Sequence, residues 1–213
     1  MGELDMSFSQ WQVFTSVVTV NLDTVNTIVG TSSLRIVGPS PTLQMNMLPS
    51  QAALLPCGLT KGVLRVLIKP VVLGATPHKI GLVSMQSQRD IRSLGSFYFA
   101  AASDGGVIQL LKASSGLDGG FTSLGSFSYT MVVGTTFSLE FQWNVAIEEI
   151  NGVDLVVRKG TLTDFSDLVE IIHIIDASGP LTTTQGDGIG YLNGSGASAP
   201  EFRIDQTTLL RIL

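Results

Sequence analysis

The chain has 213 residues, a length that one β-sandwich fills and two domains would crowd, so a single domain over residues 1–213 is expected. Charged residues make up only 14%, where an ordinary soluble domain carries roughly 25%, while the hydrophobic share of 44% is unexceptional. The net charge of −5 and the scatter of the twelve Lys and Arg exclude the basic footprint of a nucleic-acid binder and argue against docking on anionic membranes.

Cys57 is the one cysteine, so no intrachain disulfide forms, and a small packing thiol in a loop is expected there. No stretch approaches eighteen consecutive apolar residues, and the start at Met1-Gly2-Glu3-Leu4-Asp5 has neither a basic nor an apolar run. Synthesis without an export signal, in a cytoplasm, is the corresponding expectation.

In chain order, residues 11–20 are rich in β-branched and aromatic side chains and read as a strand. A short strand follows at 33–37, behind Gly30-Thr31-Ser32. Residues 63–72 alternate Leu64, Val66 and Ile68 against Arg65 and Lys69, up to Pro70. Strands at 78–86, 96–102 and 107–112 come next, the last two joined by a hairpin turn at Ser103-Asp104-Gly105-Gly106. The clearest pattern lies at 136–147. Phe137, Leu139, Phe141, Trp143, Val145 and Ile147 are separated by Thr136, Ser138, Glu140, Gln142 and Asn144, a strict period of two that means a long strand with one buried face. Asn151-Gly152 turns it into 153–158. Residues 168–176 are dense in Val and Ile and read as buried on both faces. The stretch 184–200 reads as a loop with one strand near 189–192, and 201–213 closes the chain. About a dozen short strands between Gly, Ser, Asn and Pro clusters, with no amphipathic helix, predict an all-β antiparallel sandwich.

Several of these segments resemble the concanavalin A-like jelly rolls of lectins and glucanases, the LamG shape included. Gly30-Thr31-Ser32-Ser33-Leu34-Arg35-Ile36 looks like their early strand. Phe137-Ser138-Leu139-Glu140-Phe141-Gln142-Trp143 resembles the central strand of their concave face, followed by a hairpin into Asp154-Leu155-Val156-Val157. Gly186-Asp187-Gly188-Ile189-Gly190 and Phe202-Arg203-Ile204-Asp205 are similar to their closing strands. The resemblance implies a jelly-roll fold, and proteins of that shape are common as bacteriophage virion components. It does not extend to a glucanase dyad: the nearest carboxylates, Glu148, Glu149 and Asp154, fall in a turn and point apart.

Other chemistry is thin. A calcium ion would find its best ligands in Asp187 and Asn193, with Asp104 and Asp118 in other Gly-rich loops, yet Asp beside Gly is also ordinary turn composition. No metal or cofactor is therefore expected. His78 and His173 lie far apart in sequence without Cys neighbours, and His173 reads as a hydrogen-bonded core or interface residue. Trp143 belongs to the apolar register of its strand, so Tyr191, in the late loop region, is the better aromatic for a sugar to stack on.

No catalytic constellation emerges, and a non-enzymatic role is expected. The first reading is a virion structural protein: a capsid decoration, head-fibre or tail component, assembled as a homo-oligomer (a trimer or an array) with itself or other virion proteins. The alternative is a carbohydrate-binding module or adhesin that recognises surface glycans.

Overall fold

The computed structural model describes residues 3–5, 11–15, 19–25, 27–30, 32–37, 44–49, 60–74, 77–88, 91, 94–117, 119–145, 152–182, 186–192 and 199–211. Among these are fifteen strands and no helix: β1 (Glu3–Asp5), β2 (Trp11–Thr15), β3 (Thr19–Asp23), β4 (Ser33–Val37), β5 (Gln44–Pro49), β6 (Lys61–Val72), β7 (Lys79–Gln86), β8 (Phe97–Ser103), β9 (Val107–Ala113), β10 (Phe121–Ser128), β11 (Phe137–Val145), β12 (Val153–Gly160), β13 (Val169–Asp176), β14 (Gly186–Leu192) and β15 (Glu201–Arg211). They form two antiparallel sheets. One runs β13-β12-β11-β6-β15-β4-β3, with β1 added on β15, and the other runs β10-β9-β8-β7-β14-β5-β2.

The alternation in β11 sorts its side chains as the sequence predicts. Phe137, Leu139, Phe141 and Trp143 enter the core between the sheets, with Leu64, Val66 and Ile68 of β6 and Leu155 and Val157 of β12. Ile80, Leu82, Tyr98, Ala100, Ile108, Leu110, Ile189 and Tyr191 meet them from the other sheet. Ser138, Glu140, Gln142 and Asn144 take the opposite face of the strand. Registry then decides one position: Trp143 stands across from Gly62. A Cβ at Gly62 would run into the indole, so the largest core side chain needs the smallest residue beside it.

Several expectations are corrected. Residues 11–20 are two strands, not one, with β2 in the seven-stranded sheet and β3 in the eight-stranded sheet. Residues 168–176 form an edge strand, β13, rather than one buried on both faces: Val169 is 64% exposed and Ile175 46%. The Gly-rich stretch after 184 holds β14, an interior strand of its sheet. A Cβ at Gly190 would approach Val83 Cγ2 to 2.6 Å, so close packing rather than loop flexibility explains that glycine. β5 and β10, neither of them anticipated, complete the seven-stranded sheet. The turn at 103–106 is as read. Gly106 N donates to Ser103 O at 3.2 Å, and the Asp104 carboxylate accepts from Gly74 N (3.0 Å) and His78 N (2.5 Å), tying the turn to the segment before β7.

The two sheets are also pinned by a polar latch. Tyr98 Oη, from β8, donates to Asp176 Oδ2 at the end of β13 (2.6 Å), and Lys112 Nζ, from β9, donates to the same oxygen (2.6 Å). Lys112 also donates to the carbonyls of Ser178 and Gly179. Burial, and then the bond to Asp176, push the Tyr98 hydroxyl above its ordinary pKa, so it remains a donor at neutral pH.

Replacing Gly62 with Val should overpack the Trp143 site and cost about 1–3 kcal/mol. The urea midpoint would fall without a change in slope; an unchanged midpoint would mean that the indole relaxes freely.

Candidate functional site: a charged cleft on the eight-stranded sheet

The two outer faces of the sandwich differ in chemistry. That of the seven-stranded sheet carries a second apolar cluster, in which Val83, Phe97, Phe99, Ala101, Leu111 and Ala113 are covered by Ile91 and Leu117 from the adjoining loops. Phe97 packs edge-on against Phe99 and Phe121, at 6.4 and 6.2 Å between ring centroids. Every buried member of the cluster is at most 3% exposed. These strands present a closed apolar layer where a sugar-binding groove would need exposed donors and acceptors.

The eight-stranded sheet presents polar groups, in two clusters. In the first, the Glu140 carboxylate, 3% exposed, accepts from Arg65 Nε (2.7 Å) and Arg158 Nη1 (2.5 Å), and Arg158 Nη1 also reaches Gln142 Oε1 (3.0 Å). The expectation that Glu140 is a satisfied carboxylate holds. Beside it His173 Nε2 lies 2.8 Å from Asp154 Oδ1. His173 is hydrogen-bonded as expected but is not in the core: its side chain is 49% exposed, because β13 is an edge strand.

The second cluster lines an open cleft of about 400 Å³ at the β3 end of the sheet. In β4, Arg35 falls between the inward Leu34 and Ile36; in β15, Arg203 falls between Phe202 and Ile204. Cross-strand register sets Arg203 opposite Arg35, and Arg35 opposite Asn21 of β3. Two guanidinium groups side by side repel unless anions separate them, and Glu201 and Asp23 do so. Arg203 donates to Asp23 Oδ2 through Nε (2.7 Å) and Nη2, and to Glu201 Oε1 through Nη1 (2.6 Å). Arg35 Nη2 donates to Glu201 Oε2 (2.8 Å). Asp23 Oδ1 accepts from Val25 N (2.8 Å), which shapes the turn at the cleft wall. Behind it, Asp205 Oδ2 accepts from Val29 N and Ser33 Oγ and holds the 27–33 segment on β15. Arg203 is 2% exposed, and the buried Arg35 Nε has no hydrogen-bond partner among the described residues. Leu22 and Val25 flank the cleft at 54% and 85% exposure.

The sequence-derived candidates fall elsewhere. Tyr191 is fully buried, its ring 6.1 Å from that of Phe202 between the sheets, where no sugar reaches it. It lies inside β14, an interior strand, and not in a loop. Asp187 is 2% exposed and accepts from Met85 N (2.9 Å), a bond that commits the carboxylate to the β7–β14 irregularity. Asn193, Cys57, Asp118, Glu148, Glu149 and Asn151 lie outside the described residues. Among the described residues no three His, Cys, Asp or Glu side chains are grouped to hold a metal ion. The cleft residues were missed as a site, although Arg35 and Arg203 stand inside two of the strand motifs quoted above. Alternation places each on an outer face, but only the pairing of β4 with β15, separated by most of the chain, brings them together.

No protein-family model matches the chain, and no curated protein matches it by sequence. Solved structures do. The cellulose-induced protein Cip1 aligns with a TM-score of 0.60 at 12% identity, covering 100% of this chain and 98% of that one. The exoplasmic/lumenal domain of VIP36, in its Ca2+/Man3GlcNAc-bound form, aligns with a TM-score of 0.59 at 13% identity, covering 98% and 86%. A marine PL-14 alginate lyase from Aplysia kurodai aligns with a TM-score of 0.59 at 10% identity, covering 91% and 87%. The fold is a concanavalin A-like jelly roll. At these identities the likeness is one of fold, and a fold of this kind carries both binding and lyase chemistry.

Glu201 makes the cleft sensitive to acid. The hydrogen bond from Arg35, the largest cause, and the bond and charge of Arg203 hold its carboxyl below the ordinary 4.5, against the opposing effect of burial. A depressed folded pKa stabilises the protein above pH 4.5, and that contribution is lost as pH falls through the lowered value. Glu201→Gln should therefore flatten the decline in stability below pH 4.5, measured by urea unfolding at stepped pH. An unaltered acid limb would show that Glu201 is not linked to folding.

Proposed function

We propose that this chain binds carbohydrate, without chemical turnover, in the cleft formed by Asn21, Asp23, Arg35, Glu201 and Arg203. The observation that carries the reading is the cleft itself: guanidinium and carboxylate groups fixed by mutual ion pairs, open to solvent, beside exposed Leu22 and Val25. Rigid planar donors and acceptors suit the paired hydroxyls of a sugar, and the apolar rim suits its C–H face. The volume of about 400 Å³ accommodates one or two sugar rings. Two arginines against two carboxylates leave the described lining balanced in charge, which suits a neutral glycan better than a polyuronate. The VIP36 domain, bound to Man3GlcNAc, shares the fold and supports the reading at that level.

The same geometry disfavours catalysis. Glycoside hydrolysis asks one carboxyl to arrive protonated, and Glu201 is held ionised by Arg35. Asp23 is tied to Arg203 in the same way. A second reading, that the chain is also a virion structural component, draws on its low charge share and is compatible with the first, since a particle-borne adhesin is both.

The test is a glycan array carrying neutral oligosaccharides and uronic-acid polymers, followed by calorimetry on the best ligand with Arg35→Gln. Neutral glycans should bind, equally well in calcium and in EDTA, and Arg35→Gln should weaken affinity by about tenfold, the loss of one charge-assisted hydrogen bond. Binding that is indifferent to Arg35→Gln would place the sugar elsewhere, and a blank array would remove the reading.

A further inference from the structure

A free sheet edge offers unpaired N–H and C=O groups to any passing strand, and proteins defend such edges with charge, proline or bulges. Among the described residues the seven-stranded sheet ends on β10, which pairs with β9 alone. Its eight residues, Phe121-Thr122-Ser123-Leu124-Gly125-Ser126-Phe127-Ser128, include no ionisable side chain and no proline. β13, the end strand of the other sheet on the same flank, carries Glu170, His173 and Asp176 within eight residues. One defence is present on β10, a register shift between Ser123 and Gly125. Beyond it the four residues from Gly125 to Ser128 pair regularly. That half is also held in place: Gly125 seats against Ile172 and Ile174 of β13, and Tyr129 N donates to Gly106 O at 3.1 Å. Phe127 remains 38% exposed on it.

We propose that β10 pairs antiparallel with β10 of a second copy of this chain, joining two seven-stranded sheets across a two-fold axis. Charge and symmetry select that occupant. An antiparallel pair of identical strands satisfies a two-fold axis by construction, each copy presenting the same patch. A strand with no ionised side chain meets its own copy without the like-charge contact that a charged edge would bring upon itself. A basic partner, which the net charge of −5 would draw in, finds no carboxylate on β10. The interface is independent of the glycan reading. The cleft lies at the β3 end of the eight-stranded sheet, on the flank away from β13 and β10, so pairing leaves both clefts free. Two clefts on one particle would raise the avidity for a multivalent glycan surface.

Sedimentation velocity over a hundredfold range of protein concentration tests this. Wild type should populate a species of twice the 22.6 kDa chain mass. Ser126→Lys and Ser126→Glu, each at an exposed position of β10, should each lose that species, and an equimolar mixture of the two should recover it. Circular dichroism and thermal melts check that the variants fold, and Thr122→Lys replaces either one that does not. A wild-type chain that stays monomeric, a dimer that survives both substitutions, or a mixture that fails to recover the dimer would each overturn the proposal.

Discussion

A guanidinium that is 2% exposed cannot stay charged in a protein without anionic partners, because desolvation would cost several kcal/mol. Arg203 meets that demand with Asp23 from β3 and Glu201 from its own strand, and Glu201 in turn engages Arg35 of β4. Three strands are thereby held in one register at their polar face, while Phe202, Ile204, Leu34 and Ile36 hold them at the apolar face. The cleft is the outer surface of this arrangement. Its residues are fixed before any ligand arrives, so little ordering entropy would be lost on binding.

The sandwich uses its two outer faces differently. Apolar side chains from the loops cover the seven-stranded sheet, and Gly190 leaves room beneath them for Val83 and Phe99. The eight-stranded sheet keeps its charges on the outside, paired almost as fast as they appear. A chain with only 14% charged residues thus concentrates many of them on one face, around Glu140 and around Arg203. That concentration singles out this face for recognition of polar ligands.

Much of the fold was legible along the chain. The period-two pattern of β11 and the turn at 103–106 correspond to what is observed, because each is local. β10 escaped notice since Thr122, Ser123, Ser126 and Ser128 give an edge strand too little apolar contrast to stand out. The site was less legible than the fold. Asp187 and Tyr191 drew attention through their Gly-rich surroundings, yet Gly190 serves close strand packing, and both side chains are buried within β14. Arg35 and Arg203 stand near opposite ends of the chain, and their meeting is a property of the β4–β15 pairing, which no local pattern discloses.

The central claim is that the balanced cleft at β3, β4 and β15 is where ligand meets protein. Arginine side-chain resonances, followed by NMR during titration with a neutral oligosaccharide, test it most directly. The account predicts shifts at Nε–H of Arg35, a donor without a partner among the described residues, and smaller ones at Arg203, with Arg65 and Arg158 unmoved. Shifts confined to Arg65 and Arg158, or to amides of β7, β8 and β9, would contradict it.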